Sequence, residues 1–128
     1  LSFFSDLQLN YQYFWKICRP EGYMKIRTAS EIVYSLYRMV LQENRILFPC
    51  NRRLEEFVKN APDQPEHMVE YCEEFCRTLE DEAVDKAVEA WMNWTKYDYP
   101  KDTAVCQSRY CADFEQWWRE PRPLIAEW

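Results

Sequence analysis

The sequence predicts an all-α fold: a single domain over residues 1–128, built as a compact bundle of about five helices stapled by disulfides, with an extended C-terminal tail. Three observations carry that expectation. The 128 residues include only one glycine, Gly22, and the tight turns of β-sheet proteins draw heavily on glycine. Apolar side chains recur every three or four residues through most of the chain, the period of a buried helix face. Six cysteines, at 18, 50, 72, 76, 106 and 111, form an even set in a small acidic chain, the pattern of a secreted disulfide framework.

The first segment places Phe3, Phe4, Leu7, Tyr11, Phe14, Trp15 and Cys18 on one helical face, and Pro20 and Gly22 end it. Thr28 with Glu31 three residues later reads as a capping box, opening a helix whose stripe is Ile32, Leu36, Met39 and Val40. Pro49 separates it from a short helix over Cys50–Ala61, with Leu54, Phe57 and Val58 inward. Pro62 and Pro65 bracket the next connection, and Pro65 suits a first helical position. Met68, Cys72, Cys76, Leu79, Ala83, Ala87, Trp91 and Trp94 then continue the period as one helix of about 30 residues, or as two that break at Glu80–Glu82. A loop at Asp98–Asp102, a last helix from about Thr103 and the proline-containing tail Pro121–Trp128 complete the chain.

Cys72 and Cys76 share a helix face, so each is expected to staple a different neighbour rather than the other. An antiparallel turn near Asp63 sets Cys50 opposite Cys76. That pairing leaves Cys18 for Cys72 and Cys106 for Cys111, one choice among the connectivities six cysteines allow. Zinc is the rival use of Cys72 and Cys76, with His67 as a third ligand. The chain has no tight Cys-x-x-Cys knuckle and only that one histidine, so no metal and no other cofactor is expected.

The net charge of −6 argues against a nucleic-acid binder, which needs a basic face. No apolar run approaches the ~20 residues that cross a bilayer, so no membrane insertion is expected. A first residue Leu1 rather than Met suits a processed, secreted chain. Asn93-Trp94-Thr95 is a glycosylation acceptor pattern on Asn93. Neither Ser30 nor Ser108 has a base near it in sequence, and the carboxylates of Glu73–Glu82 read as a solvated helix face, so no enzyme is expected.

Aromatic residues make up 17% of the chain, more than a small core needs. Trp117 and Trp118 are adjacent, about 100° apart on a helix, so they cannot both face one seam. Trp117, Trp118 and Trp128, with Tyr97 and Tyr99, are therefore the expected partner-binding residues. The functional expectation is a secreted, non-enzymatic interaction protein that binds a protein receptor or partner through an acidic, aromatic-rich surface. The alternative is an extracellular carrier of a small hydrophobic ligand, with Phe4, Phe14, Trp15, Tyr34, Tyr37, Phe75 and Trp91 lining a pocket.

Overall fold

The computed structural model describes residues 2–99. Those residues are all-helical, with no strand among them. α1 (Ser2–Gln8) runs directly into a π-helical segment (Leu9–Trp15). α2 (Gly22–Glu43), α3 (Asn51–Lys59), α4 (Met68–Thr78) and α5 (Asp81–Trp94) follow. α1 and the π segment fold back on α2 as a helical hairpin, α4 and α5 form a second, and α3 packs against α2 and α4.

The central stripe is where the sequence places it. Ile32, Leu36, Met39 and Val40 are fully buried on α2 and form the spine of the core. Leu54 and Val58 face it from α3, Met68, Cys72 and Phe75 from α4, and Val84, Ala87 and Trp91 from α5. Aromatic rings close the core by direct contact. Trp15 meets Phe75 edge-on at 5.0 Å, and Phe4 lies between Trp91 at 5.9 Å and Tyr99 at 4.5 Å.

The first helix departs from its expected period. Backbone bonds from Lys16 N–H to the Tyr11 carbonyl (3.2 Å) and from Cys18 N–H to the Tyr13 carbonyl (3.0 Å) span five residues, the π pattern. The wider turn selects an apolar spacing of four, so Leu7, Tyr11 and Trp15 point inward. Phe14 and Cys18, which an ideal α-helix would also bury, turn out to solvent.

α2 begins at Gly22, a turn and a half earlier than the capping-box pattern suggests. Thr28 lies inside the helix, where its hydroxyl donates back to the Met24 carbonyl at 2.8 Å. The helix ends in a Schellman motif: Ile46 N–H donates to the Leu41 carbonyl and Arg45 N–H to Gln42, both at 3.0 Å. Arg45 takes the left-handed position of that motif at φ 56°, a place usually given to glycine. The long stretch after Pro65 breaks in two, close to the acidic cluster. Leu79 turns left-handed at φ 55° and Glu80 is extended, after which α5 starts afresh with Asp81 and Glu82 in its first turn.

The disulfide expectation is corrected for the described cysteines. Cys18, Cys50, Cys72 and Cys76 are four free thiols, so neither Cys50–Cys76 nor Cys18–Cys72 is formed. The register of α3 and α4 explains the first. Lys59 reaches Glu73 at 3.3 Å, and the Glu55 carboxylate acts on the Cys76 thiol. Cys50 precedes Glu55 by more than a helical turn and so lies beyond the end of α4 rather than opposite Cys76. The second fails on environment. Cys72 is wholly buried beside Tyr37 with its thiol 3.7 Å from the Met68 sulfur, whereas Cys18 is exposed in the turn before α2. Cys106–Cys111, the last helix and the tail lie outside the described residues.

Candidate interaction surface

The end of the first hairpin is unusually apolar for a solvent-facing turn. Tyr13 and Phe14 project from the π segment, Ile17 from the turn, and Tyr23, Met24 and Ile26 from the first two turns of α2; all six are exposed, Ile17 and Tyr23 at 70%. Tyr13 and Phe14 meet edge-on at 5.3 Å. The wide π turn creates this display, because it carries Trp15 into the core while leaving the two preceding rings outside.

The same end is anchored to the start of α5. The Trp15 indole N–H donates to Asp81 at 3.0 Å, and Arg19 grips both Asp81 oxygens at 2.7 and 2.8 Å. The Arg19 bond holds the Asp81 carboxyl below its usual range, against a small opposing effect of burial. Lys16 pairs with Asp85 at 2.7 Å, which raises the Lys16 ammonium, and Tyr11 donates its hydroxyl to the same carboxylate. Burial and then Asp85 push the Tyr11 phenol up to about 12. Lys16 and Arg19 are thus paired, while among the described residues Lys25 and Arg27 on α2, and Glu80 and Glu82 on either side of Asp81, have no ion-pair partner within 4.0 Å.

A cleft of about 230 Å³ opens between the π segment and α2. Leu9, Phe14 and Met24 supply its apolar wall, and Phe14 and Met24 also belong to the exposed patch. Asp6 and Glu31 supply its acidic wall. Asp6 is only 8% exposed and accepts bonds from the Ser35 hydroxyl (3.0 Å) and the Asn10 amide (3.3 Å). Burial pushes its carboxyl up, opposed in part by those two donors. Burial also raises Glu31, the Asp6 charge adds to the rise, and Arg27 opposes it. Among the described residues neither carboxylate has an ion-pair partner within 4.0 Å. A second cleft, about 440 Å³, lies at the α3–α4 connection and is lined largely by polar and charged side chains, with His67 bonded to Glu70 at 2.9 Å.

The expected site residues fall in several places. Tyr97 is 60% exposed, but Tyr99 is half-buried, stacked on Phe4 and 5.3 Å from Trp91. Trp117, Trp118 and Trp128 lie outside the described residues. Asn93 is exposed near the end of α5, and the Thr95 hydroxyl of its acceptor pattern is bonded to Glu43 at 3.0 Å. Of the residues named for a ligand pocket, Phe4, Trp15, Phe75 and Trp91 fill space against other rings, while Phe14 faces outward. No three His, Cys, Asp or Glu side chains among the described residues group as metal ligands, and none of the described helices is long and apolar enough to cross a membrane.

Sequence reasoning missed the hairpin end. Its signal is the run from Tyr13 to Ile26, where apolar residues flank Pro20 and Gly22 on both sides instead of fading toward the turn. It also missed Asp6, a carboxylate set among Phe3, Phe4 and Leu7 on an otherwise apolar face. No family model, no curated protein and no solved structure matches the chain.

Proposed function

We propose that this chain is a secreted, non-enzymatic interaction protein that binds a protein partner through the acidic, aromatic-rich end of its first hairpin. One observation carries the reading: six large apolar side chains are exposed together at a turn whose backbone is held fixed by Trp15, Lys16 and Arg19 against α5. Contiguous apolar residues with a polar rim characterise binding surfaces, and a rigid support lowers the ordering cost of association. The exposed Asn93 of the acceptor pattern is what supports an extracellular setting. The carrier reading gains no comparable support, since the rings assigned to its pocket pack on one another.

The test is a pair of variants on the immobilised full chain. Ile17→Ser with Tyr23→Ser removes the two most exposed members of the patch, and Leu47→Ser removes a still more exposed residue on the α2–α3 connection. A protein of the native source that is retained by the wild type and by Leu47→Ser, and released by the double variant, supports the assignment. Retention by the double variant at wild-type level refutes it.

A further inference from the structure

The glycan-acceptor pattern Asn93-Trp94-Thr95 is built into the folded end of α5, and each of its residues stands in a different state. Asn93 and Trp94 are the last two helical residues, and Asn93 is exposed. Trp94 packs partly against the core and donates its indole N–H to Asp63 at 2.8 Å. Thr95 leaves the helix at φ −57° and ψ 139°, with its N–H still on the Trp91 carbonyl at 2.9 Å. Its hydroxyl donates to Glu43 at the end of α2, 3.0 Å from both carboxylate oxygens. The Lys96 N–H reaches the same carboxylate at 3.0 Å, and the Lys96 ammonium pairs with Asp63 at 2.9 Å. Asp63 is fixed in turn, because its N–H donates to Asn44 at 3.0 Å and its carbonyl accepts from the Asn44 amide at 2.6 Å.

The chemistry of transfer conflicts with those bonds. The Asn93 amide nitrogen would displace a lipid diphosphate from C1 of a diphosphate-linked oligosaccharide. The C–N bond forms as the C–O bond breaks, the diphosphate leaves with the electron pair, and the amide gives up one proton. The transferring enzyme recognises the acceptor through the hydroxyl of its third residue, so that hydroxyl must be free and the tripeptide must leave helical geometry. Here the hydroxyl is held by a carboxylate, a stronger bond than one between neutral groups. Presenting the acceptor therefore means unwinding the last turn of α5 and giving up the Glu43 and Asp63 contacts together, a local unfolding step.

We propose that Asn93 accepts a glycan only until the end of α5 docks on α2, with Glu43, seated on the Thr95 hydroxyl, as the gate that closes the site on folding. The proposal rests on the extracellular setting inferred above, where such a donor is met. A glycan attached first does not prevent docking, since Asn93 is exposed and the Trp94 and Thr95 bonds use other side chains. The same fold therefore exists with and without the sugar, in proportions set by a race between docking and transfer.

The test supplies a purified single-subunit oligosaccharyltransferase and a short lipid-linked oligosaccharide to the folded full chain, and follows the added mass. A synthetic peptide of residues 88–99 is the open acceptor, and Thr95→Val is the blank. The folded wild type is expected to react at least about tenfold more slowly than the peptide. Glu43→Ala is expected to recover about threefold or more of that loss, and Glu43→Ala with Asp63→Ala to approach the peptide. Trp15→Phe destabilises the opposite end of α5, where Trp15 bonds Asp81, and is expected to leave the rate unchanged. Equal rates for the folded wild type and the peptide overturn the gate, as does a Glu43→Ala chain no faster than wild type. Acceleration by Trp15→Phe equal to that by Glu43→Ala also overturns it, because global unfolding would then expose the acceptor. A peptide that is not modified overturns Asn93 as an acceptor altogether. Enzyme and donor are supplied, so these outcomes judge the gate alone, and the extracellular setting is judged separately by where the native chain is found.

Discussion

Trp15 joins the core to the presented surface, and Trp15→Phe measures how firmly. The indole is 2% exposed, packs edge-on against Phe75 at 5.0 Å, and donates to Asp81 at 3.0 Å. A phenyl ring has no N–H and, because the indole joins the chain through its five-membered ring, leaves part of the space of the distal six-membered ring empty. Hydrogen bonds to charged groups contribute about 1.5–3 kcal/mol, yet Asp81 is half-exposed and keeps Arg19, so about 1 kcal/mol is the appropriate share. The lost ring atoms add about 1.5–2 kcal/mol at ~0.8 kcal/mol per buried carbon. The variant is therefore expected to lose about 2.5–3 kcal/mol, a fall in Tm of roughly 8–12 °C for a domain of this size. Urea unfolding of the wild type, Trp15→Phe, Asp81→Ala and the double variant closes a thermodynamic cycle that isolates the indole–carboxylate bond. The expected coupling is about 1 kcal/mol. A coupling near zero, or a total loss below about 1 kcal/mol, would refute the claim that this bond anchors the hairpin end to α5.

Arg45→Gly places glycine at the left-handed position of the α2 Schellman motif. Relief of the side-chain strain, about 1 kcal/mol, exceeds the added entropy of the unfolded chain, so denaturant midpoints should rise by the equivalent of about 0.5 kcal/mol. Timed alkylation followed by mass spectrometry should find Cys18 labelled ahead of Cys72, which stays unlabelled until unfolding, because burial both hides its thiol and pushes its pKa up. Cys76 is exposed but should lag behind Cys18, since burial first and then the Glu55 and Glu73 charges raise its thiol. Any of the four resisting alkylation after unfolding without reductant would refute the free-thiol assignment. Glu31→Gln gives a pH signature. Asp6 and Glu31 are raised above their ordinary 3.8 and 4.5, so their stabilising protonation is complete below about pH 4 and lost as pH rises through their folded values. The variant should therefore gain stability relative to wild type between pH 4 and pH 7; a gap that narrows over that range would contradict it.

The helix stripes were legible because burial and periodicity act together. Ile32, Leu36, Met39 and Val40 repeat at the α-helical spacing and have no competing polar neighbour, and their burial follows. The same rule failed over Leu9–Trp15, where no residue type announces a π turn and tertiary contact of Trp15 with Phe75 and Asp81 favours the wider winding. The Thr28 pattern misplaced a helix start because a hydroxyl that can cap can equally bond back to Met24 inside a helix. The cysteine arithmetic misled for a related reason. An even count carries no distance, and only the register of α3 on α4 showed that Cys50 overshoots Cys76. The break at Leu79 was legible as an alternative, since acidic residues after a pause favour a new helix start.

The proposed interaction surface was hardest to read because it breaks the expectation that apolar residues mark the core. Among the described residues, nothing in the packing requires Ile17, Tyr23, Met24 or Ile26 to be apolar, since the spine of α2 is complete from Ala29 onward. A polar turn would serve the fold equally and leave the chain more soluble. What the bundle does require is that Trp15 reach Phe75 and that Asp81 and Asp85 find Trp15, Arg19 and Lys16, and those contacts hold the apolar turn in one orientation. An exposed apolar turn held rigid brings little stability to the chain itself. A partner whose contact is ordered in advance is where that arrangement has an energetic consequence, because the rigidity removes part of the entropy lost on binding.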